Sequence, residues 1–264
     1  MTVSAPSRTQ AARAAQTRAR ILNAAVRQFS ANGLAGARTE QIAEEAGVNK
    51  ALLYYYFKSK EDLYAAALES AFEDVRVDSV AVMEKDATAG ERLVQITLNS
   101  FDRSYTHPAV RTLMQQEMVR LHQGEENRMA QMAEKFFRPM WIKVDELLEN
   151  GIASGELIAV DPQQIRYAAL GANVFYFLTA PLTKLAFGID PMERSKLEHR
   201  RKAAVEYLGQ AIFIDREHGA RVAARVLAAT PMPQTNRLQS NKIEARKIAN
   251  RKIKPDGTGE VRYK

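Results

Sequence analysis

Apolar residues in this chain recur at intervals of three and four rather than two, a period that fits helices and leaves almost no room for half-buried strands. Leu22, Ala25, Val26 and Phe29 keep this register early in the chain, and Val205, Leu208, Ile212 and Phe213 keep it late. Ala, Leu, Glu, Arg and Gln, all strong helix formers, are abundant. With 264 residues, 46% of them apolar, there is ample material for a buried core. The expected fold class is all-α. The longest uncharged, mostly apolar run, 167–183, is short for a membrane span and contains Gly171, Asn173 and Pro181. A helix buried on several sides is therefore expected there, with no membrane partner.

Breaks in the period place the elements. A first helix follows Thr17 and stops at Gly33; Thr39 caps a short second helix carrying Ile42, Ala43 and Ala46; Gly47-Val48-Asn49 turns into a third over 50–57. Ser59 with Asp62 resembles a capping box for a fourth helix reaching about Glu84. A fifth helix ends near Tyr105, Pro108 opens a sixth, and 125–152 reads as one long helix bent or broken at Pro139. Asp161-Pro162 starts a helix through 187, and a last long helix is expected over 192–218, with 220–229 extending it weakly. The expected organisation is a disordered basic N-terminus at 1–16, a three-helix unit at 17–60, a larger helical domain at 61–230 and a basic, disordered tail at 231–264.

Charge and chemistry narrow the function. Residues 1–20 carry Arg8, Arg13, Arg18 and Arg20 with no acid, and the tail carries nine basic residues against three acids, which leaves the body net acidic within a chain of charge +7. Two basic ends of this kind can lie along a polyanion. There is no cysteine, hence no disulfide framework and no thiolate site, and no secretory signal opens the chain; a cytoplasmic protein is expected. An enzyme finds little footing: no Gly-rich phosphate loop follows a strand, and His107, His122, His199 and His218 lack metal-ligand spacing. No cofactor and no metal are expected.

The segment 39–57 carries the strongest signal. Ala43 is small where two helices would touch, Gly47 suits a left-handed turn, and Ile42, Val48, Leu53 and Phe57 lock the pair, while Lys50, Ala51, Tyr54 and Tyr55 remain near the outward N-terminal side of the following helix. That side is the one a recognition helix presents to base edges. Tyr54, Tyr55 and Tyr56 in a row on a two-turn helix cannot all be buried, so at least one phenol faces outward. The same residues also suit a plain three-helix bundle with solvated charges.

Residues 18–64 resemble the DNA-binding domain of the TetR family of bacterial one-component regulators. The match runs Thr39-x-x-Ile42-Ala43-x-x-Ala46-Gly47-Val48-Asn49, then Leu53-Tyr54-x-Tyr56-Phe57-x-Ser59-Lys60-Glu61-x-Leu63. The resemblance implies that Lys50, Ala51 and Tyr54 approach bases in the major groove. It implies that Thr39, Leu52 through its backbone, Tyr56 and Lys60 hold phosphates. Glu40 stands where some relatives carry a base-contacting arginine; its carboxylate could accept from cytosine, but repulsion from phosphate favours a solvent-facing role.

The resemblance further implies a ligand-responsive regulator, most simply a repressor: a homodimer on a palindromic double-stranded operator, released by a small-molecule effector. From the residues, helices 163–187 and 192–218 are the dimer candidates, because Ala168, Ala172, Ala204, Gly209 and Ala211 permit close approach; the alternative is that these faces complete the monomer core. Aromatic, Met and polar side chains suggest effector contacts at Phe101, Tyr105, His107, Met114, Met118, Phe137, Trp141, Asn173, Tyr176 and Phe177, though each suits an ordinary core. Met114 and Met118 favour an apolar or aromatic effector over a highly charged one. The rival reading is an architectural protein that coats DNA without sequence choice through its basic ends. The tail could serve as an electrostatic arm, a docking segment or a neutral extension.

Overall fold

The computed structural model describes residues 8–234, side chains at 8–9 and 74–80 excepted. The chain folds into eleven α-helices among the described residues: α1 (Arg8–Gly36), α2 (Thr39–Ala46), α3 (Lys50–Tyr56), α4 (Lys60–Met83), α5 (Ala89–Thr106), α6 (Pro108–His122), α7 (Glu126–Met132), α8 (Arg138–Ala153), α9 (Pro162–Phe187), α10 (Arg194–Ile212) and α11 (Arg216–Ala229). No described helix is long and apolar enough to cross a membrane. The tail expected at 231–264 falls almost entirely outside the described residues.

Several boundaries differ from the sequence expectation for identifiable reasons. Residues 8–16, expected to be disordered, form the first turns of α1, where Ala11, Ala12, Ala14 and Ala15 supply the best intrinsic helix formers. Gly33 breaks the direction of α1 as expected, with φ 68° and ψ 174°. The bend expected at Pro139 is absorbed by one widened π turn, Ala133–Phe137, in which the Arg138 N–H bonds to Ala133 O, five residues back. Pro139 then sits in the first turn of α8, where its missing N–H costs nothing.

The long last helix expected over 192–218 is two helices. Backbone bonds from Ile158 N to Ile212 O (2.8 Å) and from Ile214 N to Glu156 O (3.1 Å) draw 212–214 into an extended bridge. Asp215 then caps a new helix by accepting from the Glu217 and His218 N–H groups. Helix α11 folds back along α10, and the contact is backbone to backbone at Gly209 and Gly219. Ala204 and Gly209, expected to serve a dimer, are thus buried within the chain.

Two apolar cores result. One joins α1, α2, α3 and the first half of α4 to Leu113 of α6 and to Met129, Met132 and Phe136. The other gathers α5, α8, α10 and α11 around Leu98, Leu148, Val205 and Val222. The boundary expected at 60–61 therefore does not part the cores, because α4 and α6 both contribute to the N-terminal one. Helix α9 is likewise not buried on several sides: Ile165, Asn173 and Phe177 face inward, while Tyr167, Val174, Phe175, Leu178, Leu182 and Leu185 are exposed, the last four at three- and four-residue steps.

A Cβ on Gly209 would lie 2.7 Å from Gly219 O and 2.9 Å from Ala223 Cβ. Gly209→Ala should therefore lower the unfolding free energy by about 1–3 kcal/mol, overriding the roughly 1 kcal/mol that Ala gains over Gly in a helix. The check is a reduced urea midpoint, with Gly171→Ala, which meets nothing within 4 Å, as the control that does not fall. A Gly209→Ala midpoint at or above the parent's would overturn the close approach.

Candidate nucleic-acid interface and ligand-facing residues

Helix α2 ends in a left-handed Gly47 (φ 65°, ψ 40°), with the Gly47 and Val48 N–H groups returned to Glu44 O and Ala43 O. This closure satisfies the last carbonyls of α2 and swings the chain into α3. Asn49 caps α3 by accepting from Leu52 N at 2.7 Å. Leu53 and Phe57 are buried against Ile42, Ala43 and Ala46, so the two short helices are locked as a helix-turn-helix. Glu45 accepts from Arg27 Nε at 2.5 Å and Gln28 Nε2 at 2.7 Å, which fastens α2 to α1.

The expected DNA-contacting residues lie on α2, α3 and the start of α4, and they are not all free. Lys50 and Ala51 are exposed at the start of α3. Glu40 is solvent-facing, yet its carboxylate meets Lys50 Nζ at 2.5 Å. That hydrogen bond holds the Glu40 carboxyl below its ordinary pKa and raises that of Lys50. Thr39 is only 6% exposed, and its hydroxyl lies 3.2 Å from the Tyr54 phenol. The Leu52 N–H, implied to meet a phosphate, is occupied by the Asn49 cap, as an Asn at that position dictates. Lys60 Nζ donates to Ala35 O at 3.0 Å. Tyr56 is half-buried and packs on the core, whereas Tyr54 and, at 81% exposure, Tyr55 are exposed. Only the fold shows which of the three adjacent phenols is most exposed.

The residues expected to meet an effector divide into two groups. Phe101 packs against Tyr176 and Phe177, with ring centroids 6.0 and 5.1 Å apart. Asn173 joins them, fully buried at 0% exposure, donating from Nδ2 to Thr97 O at 3.0 Å while its Oδ1 has no hydrogen-bond partner. The Tyr176 phenol donates to Pro191 O, and burial pushes its pKa up. Met114, Met118 and Phe137 instead pack on the N-terminal core, with Phe137 against Phe72 and Trp141. The Arg166 guanidinium covers the Trp141 ring at 4.9 Å and is paired with Asp145. Tyr105 is half-buried, and His107 lies exposed at the junction of α5 and α6 beside the Thr106 hydroxyl.

Two features escaped the sequence reading. Glu117 of α6, 1% exposed, accepts from the Tyr64 phenol of α4 at 2.7 Å and is flanked by Arg128 Nη1 at 3.3 Å and Arg120 Nε at 3.8 Å. Burial and this carboxylate push the Tyr64 phenol pKa well up. Gln116, beside it, donates to Ser30 O of α1 at 3.1 Å. A signal existed, since Glu117 stands in the apolar row Leu113, Glu117, Leu121, where a lone acid must find partners. The second feature is an open cleft of about 440 Å³ lined by Thr88, Arg92, Leu147, Asn150, Glu156 and His218, none of them among the expected effector residues.

Comparison with known proteins agrees with this geometry. Residues 21–67 match the family model described as bacterial regulatory proteins, tetR family, and residues 89–208 match the tetracyclin repressor-like C-terminal domain, together more than half of the chain. The HTH-type transcriptional repressor NicS of Pseudomonas putida is 34% identical over 122 residues, which span 46% of this chain and 57% of that repressor. The HTH-type transcriptional regulator RutR of Escherichia coli K12 is 29% identical over 168 residues, 64% of this chain and 77% of the regulator. A TetR/AcrR-family transcriptional regulator from Thermobifida fusca superposes with a TM-score of 0.55 at 24% identity, over 72% of this chain and 95% of its own. With its helix-turn-helix closed by Gly47 and its larger helical domain behind, the chain belongs to the TetR family of transcriptional regulators.

Proposed function

We propose that the protein is a cytoplasmic repressor that binds a palindromic operator as a homodimer and is released by a small-molecule effector held among α5, α6 and α9. The observation that carries this reading is the double engagement of α6. Its Gln116 and Glu117 hold α1 and α4 of the DNA-binding unit, and its Arg111 covers the Phe177 ring of the aromatic cluster at 4.8 Å. A ligand that shifts α6 moves the helices that carry the reading head. Such a ligand acts only by preferring the released spacing, so operator must weaken the ligand by the same factor. Ligand affinity measured with and without operator tests the reading; identical values refute the coupling.

The exposed stripe of α9 supports the dimer, since leaving six large apolar side chains in water is costly and a two-fold axis through α9 covers both copies at once. Of the two helices expected to dimerise, α9 offers the apolar face, since the exposed positions of α10 are polar apart from Tyr207. Replacing Leu178 and Leu182 by Glu should yield a helical monomer by sedimentation; a persistent dimer would move the interface elsewhere.

In the DNA-bound state Lys50, Ala51 and Tyr54 meet base edges, while Thr39, Leu52, Tyr56 and Lys60 stand along the phosphates. Lys50 then exchanges Glu40 for a guanine. Lys50→Ala should cost about 1–3 kcal/mol on the preferred site and relax one position per half-site. Lys60→Ala should weaken all sequences alike and flatten the salt dependence. Uniform loss from both variants across a panel of sites would contradict this division of roles, and equal affinity of the parent for random DNA would favour the architectural reading.

Tyr64→Phe removes one hydrogen-bond donor from a buried carboxylate and should lower stability by about 1–2 kcal/mol in denaturant. It should also reduce the factor by which ligand and operator weaken each other, with ligand affinity of the free protein unchanged. An unaltered coupling factor would exclude the Tyr64–Glu117 contact from the transmission.

A further inference from the structure

Arg111 and Arg200 are set apart from the carboxylate-paired arginines of this fold; Arg200, also half-buried, donates to Ala172 O at 3.3 Å and lies over the Tyr176 ring, with no carboxylate among the described residues paired to it. Arg201 is paired through both Nε and Nη2 with Asp102, Arg166 reaches both oxygens of Asp145, and Arg128 reaches both oxygens of Glu117. Arg111 is half-buried, and its contacts are the Ser104 carbonyl and the Phe177 ring; no carboxylate among the described residues pairs with it. Burial accordingly pushes its pKa down, with no opposing charge to restore it. A guanidinium offers five N–H donors and a full charge, and one carbonyl with one ring face answers only part of that demand.

A second, independent demand lies one helical turn away. Ile165, Ala169, Asn173 and Phe177 follow one another at four-residue steps on the inner face of α9. Ile165 and Ala169 line a partly open gap of about 10 Å³ with Leu93, Val144, Leu148 and Leu208, together with Thr97 and Arg166. Asn173 follows with its fully buried, unpartnered Oδ1, and Phe177 follows with Arg111 over its ring. Along about 18 Å of helix the inner face thus changes from mostly apolar, through an acceptor lacking a donor, to a cation lacking an anion.

We infer that this seam takes an organic anion: an apolar body toward Ile165 and Ala169, a hydroxyl or N–H donor at Asn173 Oδ1, and a carboxylate, sulfonate or phosphate on Arg111. The inference rests on the reading of this domain as an effector site and refines it, since Met114 and Met118 alone favour an uncharged ligand. An arginine fork matched to an oxyanion provides charge-assisted bonds that an alcohol or amine of the same shape cannot form.

The test uses the full-length protein and two fluorescent probes of one ring system, anilinonaphthalene sulfonate and its uncharged parent phenylnaphthylamine. The sulfonate should bind the parent protein at least about tenfold more tightly than the amine, the difference expected of a charge-assisted pair. Arg111→Met should abolish that preference while retaining amine binding, and decanoate should displace the sulfonate from the parent but not from the variant. Because the substitution removes a charge that lacks a counterion, the ligand-free melting temperature of Arg111→Met should be unchanged or higher. Arg92→Met, a guanidinium of the separate cleft, should keep the preference. Equal binding of the two probes, binding of neither, or a preference that survives Arg111→Met overturns the inference. Dye binding is read without DNA, so loss of operator selectivity would strike the regulator reading alone. Operator release by an uncharged molecule, with no sulfonate bound, would strike only this one.

Discussion

The buried carboxylate of Glu117 is the contact that fixes α4, α6 and α7 relative to one another within the N-terminal core. A carboxylate with 1% exposure is tolerable only because the Tyr64 phenol and the Arg128 and Arg120 guanidiniums surround it, and those partners come from α4, α6 and α7. Moving α6 relative to α4 would expose or orphan that charge. Hydrophobic contacts such as Leu113 against Tyr64 and Phe29 can slide, whereas a hydrogen-bonded charge has few acceptable positions. The N-terminal helices and α6 therefore share one geometry.

At the other end of the molecule a different constraint operates. The Gly209 and Gly219 backbones approach so closely that α11 lies flat on α10, and the 156–158 strip pairs with 212–214 to set the angle of return. Helix α9 meanwhile carries a bare apolar stripe.

The helix-turn-helix was the most legible part of the sequence because its determinants are local. Gly47 supplies the left-handed turn, Asn49 caps α3, and Leu53 and Phe57 recur at the spacing of one helix face. The effector residues were less legible. An aromatic or Met at helical spacing suits a core as well as a chamber, and the fold sent Phe101, Asn173, Tyr176 and Phe177 to one cluster and Met114, Met118 and Phe137 to another. Arg111 gave no sign in the sequence, because its lack of a counterion depends on what α9 and α5 bring near it.

Period, punctuation and capping chemistry are properties of neighbouring residues, so the sequence by itself determined the all-α class, nearly every helix start and the helix-turn-helix with its family. Only the tertiary structure decided that 192–218 breaks into α10 and α11, because the break is made by pairing with 156–158, far away in the chain. It also decided which tyrosine of three is most exposed, that Arg111 stands over Phe177 without a carboxylate, and which face of α9 stays bare. Each of those is a question of what stands opposite a side chain, and contacts between distant segments leave no periodic trace in the sequence.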